Sequence, residues 1–347
     1  MFDTQWGSIH AIIRKILQPE ICNRIRVKWI AMHKTLIALL ILFSALHAKN
    51  ITPIASIKVS GLVSDFVKDG EYLYVATDAG SVDIIDLFTR EIVEQIQLEP
   101  LRTVMGDLVP ARVHSVDRFQ GKTLLVSSGI SAYRNVWIHD GKALKKIIDE
   151  KKHLMAKRAF FTNEGDVVLG TFGSDVILYN NNENYKLYDI QISESTMGGM
   201  ALSQDKKKMV ISDESGTVRL IDVKSAKVEK TFSSEHVDNI YSVAYSKGTI
   251  ITAGQDRRVG VYRENKNAYH IKSDFLVYCV GLSPSAETGI YSSGHDHNLQ
   301  LFNTKDGSKT DSLVGHYATP TKIMFIYENA LISAGDENTI FFWKVNK

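Results

Sequence analysis

From residue 54 onward the chain is built of short runs in which apolar and polar residues alternate, separated by clusters of Gly, Asn, Asp and Ser. Alternation with period two predicts strands with one buried face, and the clusters predict the turns between them. A longer period organises the runs. Each copy closes on a bulky apolar residue: Ile85, Trp137, Tyr179, Ile221, Tyr262, Phe302 and Trp343, at spacings of 52, 42, 42, 41, 40 and 41 residues. A period near 41 in a chain of short strands predicts an all-β, seven-bladed β-propeller with one four-stranded sheet per repeat.

An open ring would expose the edges of its first and last sheets. The seventh copy ends soon after its third strand, whereas the alternating run 54–59 has no copy of its own. Residues 54–59 are therefore expected to supply the missing outer strand of the last blade, beside residues 340–345.

The last three copies align without gaps around one turn. They read Ala253-Gly254-Gln255-Asp256-Arg257-Arg258-Val259-Gly260-Val261-Tyr262, Ser293-Gly294-His295-Asp296-His297-Asn298-Leu299-Gln300-Leu301-Phe302 and Ala334-Gly335-Asp336-Glu337-Asn338-Thr339-Ile340-Phe341-Phe342-Trp343. Glycine is expected to open a tight hairpin, an acid follows, and a strand ends on the anchor six residues after that acid. These residues resemble the WD40 repeat, most strongly over 236–347; in earlier copies Ile85 and Ile221 replace the aromatic. The resemblance implies a hydrogen-bonded chain of His, Ser/Thr, Asp and aromatic within a blade. His236, Thr252, Asp256 and Tyr262 match it in the fifth copy, with Tyr for Trp, and His316, Ser333, Glu337 and Trp343 in the seventh. A buried polar chain is tolerated when its members satisfy one another, so these residues read as structural.

The beginning of the chain has a different character. An 11-residue apolar segment, 36–46, follows Met32-His33-Lys34 and precedes His47-Ala48. A basic start, a short apolar core and a small residue describe a secretory signal peptide over 32–48, and the core is too short to span a bilayer. Residues 1–31 do not fit an export signal; Met32 is the expected start, with 49–347 as the propeller and no stable membrane insertion after cleavage. The alternative for 1–31 is a basic amphipathic extension touching lipid. Six of the 41 Lys/Arg and two of the 39 Asp/Glu lie in residues 1–48, which leaves 35 basic and 37 acidic, so the net charge of +2 becomes −2. That balance gives no general footprint for nucleic acid. Of two cysteines only Cys279 remains, so no internal disulfide forms; it is expected to be an inert buried thiol. Export without disulfides suits a bacterial periplasm, and the expected form is a monomer.

The one irregular spacing, 52, places an insertion of roughly ten residues at 99–112, Glu-Pro-Leu-Arg-Thr-Val-Met-Gly-Asp-Leu-Val-Pro-Ala-Arg. Long connections in compact repeats are commonly functional. This one joins the outer strand of one blade to the inner strand of the next, on the face that carries the Gly-acid turns, which is the usual partner-binding face of WD40 proteins. Two readings stand: the apolar residues cap the central channel, or they form a docking loop in which Arg102, Met105, Asp107 and Arg112 contact a protein partner. Arg134, Arg257 and Arg258 are expected on the same face, either as part of an arginine patch that grips carboxylates or paired with Asp78, Asp107, Asp213 or Asp256.

Residues 105–117, Gly254-Gln255-Asp256-Arg257-Arg258 and Gly281-Leu282-Ser283-Pro284-Ser285-Ala286 are similar to the exported WD40-like accessory proteins encoded with some bacterial periplasmic nitrate reductases. That resemblance implies a role near assembly, maturation or electron-transfer organisation of the reductase, with protein partners among its components and no catalysis. Chemistry of other kinds lacks its residues. There is no Cys-x-x-Cys-His for c-type haem, and no Gly-x-Ser-x-Gly, phosphate loop or His-Glu-x-x-His. His295-Asp296-His297 leaves at most two metal ligands, because Asp296 is the repeat acid, and two are too few. No catalytic residue, cofactor or metal is expected. Two other classes remain: a propeller enzyme with an ion in its channel, which would need converging ligands, and an outer-membrane-assembly scaffold, which would favour a lipidated Cys where Lys49 stands.

Overall fold

Strand formation follows the sequence period closely. The computed structural model describes residues 48–182 and 185–345, and its strands fall in the compact unit Asn50–Lys347. The expected leader, apart from Ala48, and the upstream extension lie outside the described residues, as does part of the Asn-rich turn at 180–184. Seven antiparallel sheets follow one another in sequence order, spanning 63–97, 113–148, 156–191, 197–232, 240–272, 280–313 and 320–344. This is the seven-bladed all-β propeller that the period predicts.

Within a blade the second strand is the most buried. Thr249–Gly254 is covered along its whole length, and Ala330–Gly335 nearly so. Both faces of such a strand pack against neighbouring blades, so it carries near-continuous apolar residues. The outer strand Glu91–Gln97 buries only Ile96; its charged and polar residues and also Ile92 and Val93 are exposed. Seven apolar clusters, most of them joining residues of adjacent blades, form the core. Six of the seven anchors are buried; Trp137 is half-buried, with the Lys146 ammonium 4.7 Å from its ring centroid.

Ring closure uses the run that lacked a copy. Ala55–Lys58 pairs antiparallel with Thr339–Lys344, Ala55 opposite Phe342 and Lys58 opposite Thr339, as the fourth strand of blade 7. The N-terminal segment also makes a contact that its pattern did not announce. Asn50–Ile51 pairs in parallel with Lys309–Leu313, giving blade 6 a fifth strand. Ile51 is buried with Leu313 and Trp343, and Pro53 sits so close to Gly315 that a Cβ there would meet its ring at 2.8 Å. One short segment thus covers two sheet edges.

The repeat glycine works differently from expectation at residue 254. It has no positive φ; the left-handed position of that turn is Arg257, at φ 62°. Gly254 is required because a Cβ would lie 2.4 Å from the His236 ring and from Asp256 Oδ1. Close approach, rather than backbone freedom, is its reason.

Candidate functional site

The 99–112 insertion folds as a small hairpin of its own, Leu101–Arg102 against Leu108–Val109. Gly106 turns it at φ 93°, and Thr103 N–H donates to Asp107 O at 2.8 Å. Leu101 packs against the cluster of blades 1 and 2, which anchors the base. The tip is left in solvent: Val104 is 96% exposed, Met105 92% and Leu108 62%. Residues so exposed cover nothing, so the hairpin does not cap the channel. Exposure of three large apolar side chains forgoes about 1.5–3 kcal/mol each relative to burial.

Arginines surround the hairpin without forming one patch. Arg102 donates to Gly106 O at 3.0 Å within the hairpin, and Arg112 pairs with Asp78 at 3.2 Å. Asp107 and Met105 are exposed at the tip. Arg134, on blade 2, is half-buried; its Nε is shielded from solvent and has no hydrogen-bond partner among the described residues, and burial lowers its pKa. Arg257 is exposed on blade 5. Arg258, beside it, is held by the carbonyl of Glu235 at 2.9 Å and by Asp256 at 3.7 Å. Blade 5 stands three blades from blade 2 around the ring, so the five arginines divide into a group near the hairpin and a pair across the face. Sequence placed them on one face but gave no bearing around the axis.

The hydrogen-bonded chains lie inside the blades. In blade 7, His316 Nδ1 is 2.5 Å from Glu337 Oε1 and its Nε2 is 2.6 Å from Ser333 Oγ, which accepts from Trp343 Nε1 at 2.7 Å. In blade 5, His236 Nδ1 and Nε2 reach Asp256 Oδ1 at 2.9 Å and Thr252 Oγ1 at 2.7 Å. Tyr262 departs from the chain expected of it: its buried hydroxyl lies beside Thr252 without a hydrogen bond. A phenol projects its oxygen along the ring axis, whereas an indole offers its N–H from the ring side, as Trp343 does to Ser333. Burial, with a small contribution from His297, lowers His316 to about 4, and burial raises Glu337 to about 7. Each is displaced toward its neutral form.

Chemistry-bearing residues that the sequence reading missed line the axis. The inner strands of all seven blades surround a cavity of about 380 Å³. Burial alone would raise the pKa of Asp65, but Arg158 at 2.6 Å, Lys322 and the Val116 N–H outweigh it and hold the carboxyl below its usual range. Asp117 accepts from Lys206 at 2.8 Å, yet burial wins and its pKa is raised. The available signal was charge inside otherwise apolar inner strands, as in Val63–Asp69 and Ala156–Phe161. Cys279 is fully buried, its Sγ 3.2 Å from Pro320 O, and burial pushes the thiol up to about 12. His295 packs against Phe275 with ring centroids 4.1 Å apart. No group of three or more metal-ligating side chains occurs among the described residues.

Blade number, strand order and the chains of blades 5 and 7 define a WD40-like β-propeller fold. The β-propeller domain of Cps50 (Swd1) from Myceliophteria thermophila superimposes with a TM-score of 0.67 at 14% identity, over 85% of this chain and 99% of that one. In sequence the chain is similar to Autophagy-related protein 16 of Arabidopsis thaliana, 23% identical over 184 residues, 52% of this chain and 36% of that protein. It is also similar to Actin-interacting protein 1 of Caenorhabditis elegans, 24% identical over 193 residues, 52% of this chain and 31% of that protein. The chain therefore spans about a third of the length of these curated relatives. No family model matches it.

Proposed function

We propose that this protein is a non-catalytic, exported scaffold that docks a protein partner through the 101–109 hairpin, as an accessory factor of a periplasmic nitrate reductase system. The observation that carries the docking reading is the hairpin tip, with Val104 and Met105 almost fully exposed between Arg102 and Arg112. An apolar centre rimmed by arginine has the composition of an interface core. Arg112 offers part of its guanidinium beyond Asp78, with its side chain 58% exposed. The reductase setting rests on the sequence similarity of residues 105–117, 254–258 and 281–286, and periplasmic location on the leader-like segment 32–48. The non-catalytic reading rests on the structural engagement of the His and acidic residues in blades 5 and 7.

The test is a crosslinked pull-down from periplasm with wild type, Arg112→Glu and a deletion of residues 101–108. Wild type should recover a nitrate reductase component, and both variants should lose it. Equal recovery by all three defeats the docking surface. Consistent recovery of an unrelated partner that the deletion abolishes keeps the surface and rejects the reductase setting.

A further inference from the structure

The charges along the axial cavity do not balance. Its walls carry one acid, Asp117, and three cations, Lys157, Arg158 and Lys322, with a second acid, Asp65, buried against Arg158 and Lys322. Asp65 is occupied by Arg158 and Lys322 and by the N–H groups of Phe66 and Val116. Asp117 is occupied by Lys206 and by the Phe161 N–H, each at 2.8 Å. Both acids are engaged, and one cation is left over.

That cation is Lys157. It is the second residue of the inner strand Ala156–Phe161, so it stands where the strand enters from the hairpin face. Its ammonium donates to Met197 O at 2.5 Å and lies 5.2 Å from the Phe172 ring centroid. It has no ion pair among the described residues. An ammonium has three donors, and one backbone carbonyl uses one of them. Half-burial of a lysine without a carboxylate is unfavourable. Burial, reinforced by Arg158 and only partly opposed by Glu214, accordingly pushes Lys157 down to about 8. The positive field continues outside the cavity: burial and the charges of Arg134, Arg112 and Arg158 bring His114 down to about 4. Across the cavity stand Tyr241 and Tyr278, stacked with centroids 5.6 Å apart, which add a flat, largely apolar wall.

We propose that the axial cavity is an anion site, in which Lys157 takes a carboxylate or phosphate group entering from the hairpin face and the Tyr241–Tyr278 pair flanks the remainder of the ligand. An anion supplies the acceptors that Lys157 lacks and neutralises the excess charge around Arg158. The cavity has room for a ligand of a few heavy atoms beyond the charged group, either a free small anion or the acidic side chain of a docked partner. This site is independent of the hairpin's own contacts.

Calorimetric titration of the full chain tests it, using inorganic phosphate, citrate and an acetylated, amidated tri-aspartate peptide. At least one should bind, Lys157→Met should weaken that binding at least tenfold, and Lys157→Arg should retain it. Binding of phosphate or citrate identifies a free anion; binding of the peptide alone identifies an acidic side chain. Wild-type affinity for a carboxylate probe should fall between about pH 7 and about pH 10 as the ammonium is lost, whereas Lys157→Arg should not show that fall, because arginine stays charged. The Arg comparison decides the matter if the Met variant fails to fold. Absence of binding by all three probes overturns the proposal, as does undiminished binding by a folded Met variant or the same pH dependence in wild type and the Arg variant.

Discussion

Two segments stand outside the 41-residue period, and they meet opposite fates. Residues 50–58 and the hairpin 101–109 each contribute two short strands. The first segment pairs with two existing sheets and buries Ile51; the second pairs only with itself and exposes Val104 and Met105. Both are apolar departures from a repeat, so hydrophobicity does not separate them. A missing strand does. Blade 7 has three strands of its own and takes its fourth from the first segment, which continues along the outer edge of blade 6; the hairpin follows the outer strand Glu91–Gln97 of a blade that already has four strands and pairs only with itself. A segment that completes a sheet becomes part of the fold; one whose neighbouring sheet is complete is free to be a surface.

The largest consequence follows from removing the first segment. Deleting residues 49–60 should cost on the order of 4 kcal/mol or more, since Ile51 and Val59 alone contribute about 1.5–3 kcal/mol each on burial. A fall of roughly 10 °C or more in Tm is expected, and an unchanged melting curve would refute closure by this segment. Deleting residues 101–108 should do the opposite, changing stability by about 1 kcal/mol or less because little but Leu101 is buried there, a shift that denaturant titration resolves. A loss as large as that of the first deletion would make the hairpin a structural element and erase the contrast.

The smallest effect concerns the blade that the N-terminal strand completes. Glu337 is raised to about 7 and His316 lowered to about 4. For Glu337 the folded state holds a proton that the unfolded state has released, so stability is lost as pH rises from about 4.5 through about 7. For His316 the unfolded state binds the proton first, so stability is lost as pH falls from about 6.5 through about 4. The two slopes largely cancel between about pH 4.5 and about pH 6.5. Glu337→Gln should remove one of them, so that stability climbs with pH over that window. A variant with the same flat profile as wild type would show that the pair does not titrate as two displaced groups.

Much of the fold was legible because a propeller repeats a local pattern. The anchors Tyr262, Phe302 and Trp343 recur at nearly constant spacing since each fills the same place in its own sheet. Closure by 54–59 could be read from a missing strand at one end and a spare run at the other. The tie between residues 50–51 and blade 6 could not, because two residues carry no period and their partner lies more than 250 positions away. Arg257 and Arg112 looked equivalent in sequence, but the ring sets them three blades apart.

By itself, then, the sequence determined the number of blades and the position of the one long insertion, both of which depend on spacing along the chain, while its resemblance to the WD40 repeat implied the His, Ser/Thr and acid partners inside blades 5 and 7. Tertiary structure alone decided that the hairpin projects, that Tyr262 leaves its hydroxyl unbonded, and that Asp65, Lys157, Arg158 and Lys322 converge on one axis. The physical reason is that strand period fixes which side of a sheet a residue faces, while closure of the ring brings the inner edges of seven separate sheets together. Charge balance on that axis is a property of the closed ring, and no stretch of the chain holds enough of it to be read in advance.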